Sequence, residues 1–258
     1  MSANLQRLPD ETRNLWCEGG RQRFLRASPL FHSLPSPVLD DLAAALRPTA
    51  WQRGEFIFRE ADPAQNVYVL AEGRLKFIQE TEDGREIILH LIPSGEIFGV
   101  EGLWAGKNCR ATAVAMDQAT VLGVAVPKLM ALLAIHPSLT HAFFQVLGAR
   151  LRESEARVRD LQTEQVEERI ARTVLRLVNR MGRKTSEGID VGVRLTRQDL
   201  AELTGTTLST ASRTLSAWSR DGLIRTRREQ VIILDPHRLA AIAENLPPPG
   251  SRPHVPAE

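Results

Sequence analysis

The stretch from Leu195 to Leu234, LTRQDLAELTGTTLSTASRTLSAWSRDGLIRTRREQVIIL, decides how the chain is read. Thr196 followed three residues later by Asp199 is a capping-box pattern, which satisfies the free amides of a helix start. The helix it opens runs to Gly205, where glycine permits the backbone conformation of a tight interhelical turn. Thr207 has the chemistry to cap a second helix, in which Leu208, Ala211, Leu215 and Trp218 recur at three- and four-residue steps as one apolar stripe. Asp221-Gly222 closes that helix. Arg225, Arg227 and Arg228 then lead into Val231-Ile232-Ile233-Leu234, a β-rich return strand. Two short helices across a turn, followed by a basic hairpin, describe a winged helix-turn-helix.

A second stripe of this helix carries Ser209, Arg213, Ser216 and Arg220, with Ser212 beside it. Small hydroxyl residues and an arginine at the front of a helix suit the DNA major groove, where one guanidinium bonds both acceptors of a guanine edge. An ordinary solvated face has a similar composition. The basic hairpin tips the balance, because arginines beside such a helix form a phosphate clamp. The expected DNA contacts are therefore Thr196, Thr207, Ser209, Thr210, Ser212, Arg213, Ser216, Arg225, Arg227 and Arg228.

A chain of 258 residues has room for two ordinary domains. Its net charge of +2 says little alone, but from Glu167 onward 15 basic residues face 11 acidic ones, so the positive excess lies where the DNA reading needs it. The only cysteines, Cys17 and Cys109, are far apart, which argues against a disulfide and against a four-cysteine iron–sulfur cluster. The first residues lack the apolar core of a secretory signal, and no apolar run approaches the roughly 18 residues of a membrane span. A cytoplasmic protein with no membrane partner is expected.

Residues 1–26 are polar, with Gly19-Gly20 and several arginines, and read as an N-terminal extension outside any core. Ser36 and Pro37 open a short amphipathic helix. From Trp51 to about Val126 the period becomes two. Strand-like runs such as Val67-Tyr68-Val69-Leu70 and Leu75-Lys76-Phe77-Ile78 follow one another at turn-spaced intervals, and Asp83-Gly84 marks a hairpin. Strands so spaced predict a sandwich or barrel, here a domain over 27–136, which the resemblance given below makes the sensor domain. Beyond His136-Pro137, Phe144, Leu147, Leu151, Ser154, Val158 and Leu161 repeat as a coiled-coil seam with charged flanks. The seam predicts a parallel homodimer, whose two-fold axis matches a reader of paired half-sites, over a helix and hinge spanning 137–166. The winged unit occupies 167–245, with Met181 to Val193 as its leading loop, and the proline-rich residues 246–258 read as a tail. The expected fold class is α+β: a β-barrel of jelly-roll type, a long coiled-coil helix and a C-terminal winged helix-turn-helix.

That order resembles the Crp/Fnr superfamily of bacterial transcription regulators from about Ser28 to Asn245. The resemblance is carried by Arg53-Gly54-Glu55-Phe56-Ile57-Phe58, by Tyr68-Val69-Leu70 up to Gly73, by Gly95-Glu96-Ile97-Phe98-Gly99, and by Thr210-Ala211-Ser212-Arg213. It implies a cyclic-nucleotide-binding-like barrel, a recognition helix in which Arg213 contacts guanine, and RNA polymerase as a partner. Ser209 departs from the glutamate that many members carry there. The effector site implied by the resemblance comprises Phe98, Gly99, Val100, Glu101, Arg110, Ala111 and Ser154. Members that bind cyclic AMP resemble one another in a Phe-Gly-Glu followed by Arg-Ser or Arg-Thr. This chain has Phe98-Gly99-Val100 and Arg110-Ala111, which disfavours cyclic AMP. Glu101 is not expected to replace the missing acid, since a one-residue shift along an extended segment turns a side chain to the other face. Thr204-Gly205-Thr206-Thr207-Leu208 with Ser212-Arg213 looks most like the branch tied to nitrogen-oxide control, some of whose members use haem. The resemblance thus admits haem, with His32 and His90 as candidate axial ligands.

No nucleophile, base and orienting residue are spaced as an enzyme would need them, so no catalytic activity is expected. The alternative function is a ligand-binding regulatory module of a larger signalling assembly with no specific DNA role. It leaves the C-terminal winged unit unexplained.

Overall fold

The computed structural model describes residues 14–103 and 108–246, and the chain divides into two compact units between Ser154 and Glu155. The expected tail, 246–258, lies outside the described residues except at its first position, as does the start of the expected extension.

The first unit is built on two four-stranded antiparallel sheets. Strands β1 (Arg47–Trp51), β3 (Asn66–Glu72), β6 (Ile97–Phe98) and β8 (Ala119–Ala125) form one sheet in the order β1-β8-β3-β6. Strands β2 (Phe56–Phe58), β4 (Leu75–Glu80), β5 (Glu86–Ile92) and β7 (Thr112–Ala115) form the other in the order β2-β7-β4-β5. Successive side chains of a strand point to opposite faces, and β3 shows the result. Val67 and Val69 join a core built with the helices, while Tyr68 and Leu70 join a second core between the sheets. The expected hairpin at Asp83-Gly84 links β4 to β5, with Thr81 N–H donating to Arg85 O at 2.9 Å.

Helices α1 (Glu18–Ala27), α2 (Ser36–Ala45), α3 (Val126–Ile135) and α4 (Pro137–Thr163) supply the helical side of the first core. The expectation that residues 1–26 lie outside the core fails where they are described. Leu15 and Leu25 are 7% and 0% exposed within the helical core. Arg21, one of the arginines of the expected extension, is buried and donates through Nε to Ala43 O at 2.7 Å and through Nη1 to Leu15 O at 3.1 Å. A buried guanidinium is tolerated when carbonyls satisfy its donors, and this one ties α1 to α2. At α2 the cap position falls on Pro35, one residue before the expected Ser36, and no side chain bonds there. His136, at the break between α3 and α4, places Nε2 2.9 Å from Asp41 Oδ2.

The expected boundary at 136 is a helix end, but the units part further on, within α4. The first turns of this helix explain why: Leu139, Ala142 and Phe143 are buried in the barrel's helical core. α4 then stops at Thr163, and α5 (Val166–Met181) begins after Gln165, whose capping box with Glu168 marks the break where the hinge was expected.

In the second unit α5 buries Ile170, Ala171, Val174 and Leu177 along one face. Met181 to Val193, expected to be a loop, contains β9 (Arg183–Lys184) and β10 (Ile189–Asp190). These pair into a sheet of order β11-β12-β10-β9 with β11 (Ile224–Arg227) and β12 (Gln230–Ile233). The glycines of this segment hid strands too short to show a period. Helices α6 (Arg197–Thr204), α7 (Leu208–Arg220) and α8 (Pro236–Ala243) complete the unit. Among the described residues no single helix is long and apolar enough to cross a membrane.

Candidate nucleic-acid interface

The two helices of the reading unit start and stop as their sequence dictates. Thr196 Oγ1 accepts from Asp199 N at 2.9 Å, and Asp199 Oδ2 accepts from Thr196 N at 2.9 Å and from the Thr196 hydroxyl at 2.6 Å. Gly205 ends α6 in the left-handed region at φ 61°, ψ 40°, where residues with a Cβ are strained. Thr207 then opens α7, its hydroxyl oxygen accepting from Thr210 N at 3.2 Å. The hydroxyls of Thr196 and Thr207 are thus engaged in caps as well as being candidates for contact.

Helix α7 buries Ala211, Leu215 and Trp218, so three positions of the expected stripe face the core. The fourth does not. Leu208 is 48% exposed, because the first residue of the helix projects beyond the body that the later turns pack against. Periodicity gives the angle of a side chain about the axis but not whether a neighbour stands opposite at that height. Ser209 and Arg213 are exposed, and Thr210, Ser212 and Ser216 are half-buried. Arg213 Nη2 lies 3.5 Å from Thr210 Oγ1, one turn earlier.

Leu208 lines a concavity of about 630 Å³ together with Thr196, Arg197 and Gln198 of the α6 start and Arg227, Arg228 and Gln230 of the hairpin. Arg197 and Gln198 are exposed at its rim and were missed in the sequence, where the cap pattern at Thr196 drew attention to backbone amides instead of the side chains that follow it. The hairpin arginines differ from one another. Arg228 is exposed and makes no ion pair among the described residues. Arg225 and Arg227 both meet Glu187, at 2.8 Å and 3.0 Å, and the Arg225 hydrogen bond, with help from Arg227, holds the Glu187 carboxyl below the usual carboxylate range. Glu187 lies in what was read as a loop, and no local pattern announced it.

The effector candidates do not form one cluster. Phe98 is fully buried between the sheets, its ring 5.1 Å from Tyr68 and 6.1 Å from Phe58. Gly99, at φ +71°, turns the chain there, and a Cβ on it would lie 2.9 Å from the Tyr68 ring. Val100 is buried in the helical core instead. The stretch Val100–Leu103 is a 3-10 turn, so the strand-alternation argument about Glu101 does not hold; the Glu101 side chain itself lies outside the described residues. Arg110 is exposed, while Ala111 is buried between the sheets. Ser154 is exposed on α4.

His32 and His90 are not brought together. His32 is exposed, with Nδ1 2.8 Å from Pro29 O, and His90 packs its ring 4.8 Å from that of Phe77. Cys17 is exposed and Cys109 buried, and neither is in a disulfide. Among the described residues no three His, Cys, Asp or Glu side chains gather as a metal site. Along α4, Phe144, Leu151, Val158 and Leu161 are 68, 61, 53 and 52% exposed, and Leu147 is half-buried against the helical core.

A sandwich-type barrel followed by a long helix and a winged helix-turn-helix with an arginine-bearing recognition helix defines a DNA-binding transcription regulator. Comparison with known proteins agrees. Residues 48–136 match the cyclic nucleotide-binding domain, and residues 168–242 match the Crp-like helix-turn-helix domain. The transcriptional regulator LdrP of Thermus thermophilus is 33% identical over 71% of this chain and 90% of its own length. A CRP-like cAMP-activated global transcriptional regulator of Mycobacterium tuberculosis is 26% identical over 82% of this chain and 94% of its own. Among solved structures, a CRP-family transcriptional regulator of Thermus thermophilus aligns with a TM-score of 0.67 at 30% identity, covering 77% of this chain and 97% of that one. The chain belongs to the Crp/Fnr family of transcription regulators.

Proposed function

We propose that the protein is a homodimer that reads a palindromic promoter site through α7 and the hairpin β11–β12, switched by a signal at the barrel and long helix. The observation that carries this reading is Arg213, exposed at the front of a helix whose opposite face, Ala211, Leu215 and Trp218, is locked in the core. A guanidinium on a fixed frame, flanked by Ser209, Thr210, Ser212 and Ser216, fits direct readout of a base edge. The starts of α6 and α7, at Thr196 and Thr207, and the arginines Arg225, Arg227 and Arg228 suit backbone phosphates, which position the protein without specifying sequence.

Dimerisation is supported by the exposed apolar row Phe144, Leu151, Val158 and Leu161, which in water favours a second copy, with Leu147 and Ser154 completing the seam. The break at Glu164-Gln165 is where a change in the long helix would reorient the reading unit. RNA polymerase as a partner rests on family membership.

The signal is not cyclic AMP in this reading. Val100 offers no acceptor for a ribose hydroxyl, Arg110 is exposed, and Ala111 supplies no hydroxyl beside it. Haem, with His32 or His90 as ligand, is the alternative that absorbance after haem reconstitution tests.

The function as a whole is tested by titrating palindromic and random duplexes at increasing salt. A regulator of this type loses affinity steeply with salt yet keeps its preference for the palindrome. Equal binding to both, or none, would leave only the regulatory-module alternative.

A further inference from the structure

Glu187 stands in the turn between β9 and β10, and its carboxylate bridges two arginines of the hairpin. Arg225 Nη1 donates to Oε2 at 2.8 Å, and Arg227 Nη2 donates to Oε1 at 3.0 Å and Oε2 at 3.1 Å. The turn is fixed by Thr185, whose backbone N–H and hydroxyl donate to Gly188 O at 2.8 and 2.9 Å and whose Oγ1 accepts from Glu187 N at 3.3 Å. Arg225 and Arg227 are alternate residues of β11 and therefore share a face. A carboxylate held by two guanidiniums presents the oxygen acceptors that a phosphodiester also presents.

We propose that Glu187 is an internal stand-in for a DNA backbone phosphate, which duplex DNA must displace before Arg225 and Arg227 can grip the backbone. The inference rests on the reading of this unit as DNA-binding. Arg225, Arg227 and Glu187 are 49, 54 and 36% exposed, and ion pairs so exposed are weak enough for a polyanion to exchange with. The carboxylate stays close after displacement, cancelling one of two positive charges and repelling the incoming phosphate. Glu187 therefore sets the strength of the sequence-independent part of binding. With the carboxyl held below its usual range by Arg225, and further by Arg227, it is ionised at neutral pH, and the displacing agent is another anion instead of a proton.

The test compares the full chain, E187Q, R225Q/R227Q and the triple variant on a random-sequence duplex by fluorescence anisotropy. E187Q is expected to bind roughly three- to ten-fold tighter at low salt, with a slope of log affinity against log salt steeper by about one, as an added phosphate contact requires. On the R225Q/R227Q background E187Q is expected to tighten binding clearly less than it does in the wild type, since without the arginines the carboxylate still repels the backbone but has nothing to mask; an equal gain on both backgrounds would overturn the stand-in role. Thermal melting of each variant confirms that it is folded. If the wild type binds in a salt-dependent manner and E187Q binds equally or more weakly, the stand-in role is overturned while the DNA reading survives. If no variant shows salt-dependent binding, the DNA reading is overturned and the stand-in role with it.

Discussion

Trp218, 2% exposed on the recognition helix, donates its indole N–H to Glu167 Oε1 at 2.8 Å, in the first turn of the helix that follows the break at Glu164-Gln165. The second helix of the helix-turn-helix is thereby tied to the first turn of α5. Two ion pairs flank the same break, Arg172 with Glu164 at 2.5 Å and Arg176 with Asp160. Glu167→Ala leaves a buried donor unpaired and should cost about 1–2 kcal/mol in denaturant unfolding, whereas Glu167→Gln, which keeps an acceptor, should recover most of it.

Arg213→Ala should weaken binding to a selected site by about 1–3 kcal/mol and relax specificity at one base of each half-site. Binding measured across a panel of single-base operator variants checks both effects. A uniform loss at every position would instead mark Arg213 as a phosphate contact.

Leu208 and Leu215 lie on one helical stripe but in different surroundings. Leu215, 2% exposed, should lose about 2–5 kcal/mol on replacement by alanine. Leu208, 48% exposed, should lose less than about 0.5 kcal/mol in the same substitution and yet alter DNA affinity, since it lines the concavity between helix and hairpin. Parallel unfolding and DNA titrations of the two variants separate the roles.

That contrast shows where the sequence was legible. Capping chemistry is local, so Thr196 with Asp199, Thr207, and the left-handed Gly205 were all readable from spacing alone. So was the alternation of Val67, Tyr68, Val69 and Leu70, which a two-residue period imposes on any half-buried strand. What depends on contacts distant in sequence was not readable. Arg21 reaches Ala43, 22 residues away, and turns an apparent extension into part of the core. Glu187 meets Arg225, 38 residues away, across a sheet whose shortest strands carry no period. The Val100–Leu103 turn overruled an argument that assumed extended backbone around Glu101.

Leu151 and Val158, both more than half exposed, should hold the dimer together. Leu151→Glu combined with Val158→Glu buries like charges against each other across the seam and should give a folded monomer by light scattering. A variant that stays dimeric would move the interface elsewhere.

Calorimetric titration with cyclic AMP should show no saturable heat, because neither Val100 nor exposed Arg110 with Ala111 cradles the ribose and cyclic phosphate. Tight saturable binding would contradict the effector assignment.

The central claim, that two copies of α7 read paired half-sites, is tested most directly by selecting bound sequences from a pool of randomised duplexes with the full-length protein. The account predicts enrichment of an inverted repeat whose half-site centres lie about one helical turn apart, roughly 10 base pairs, and loss of one base preference per half-site with Arg213→Ala. Enrichment of a single unpaired site, or of no sequence at all, would contradict it.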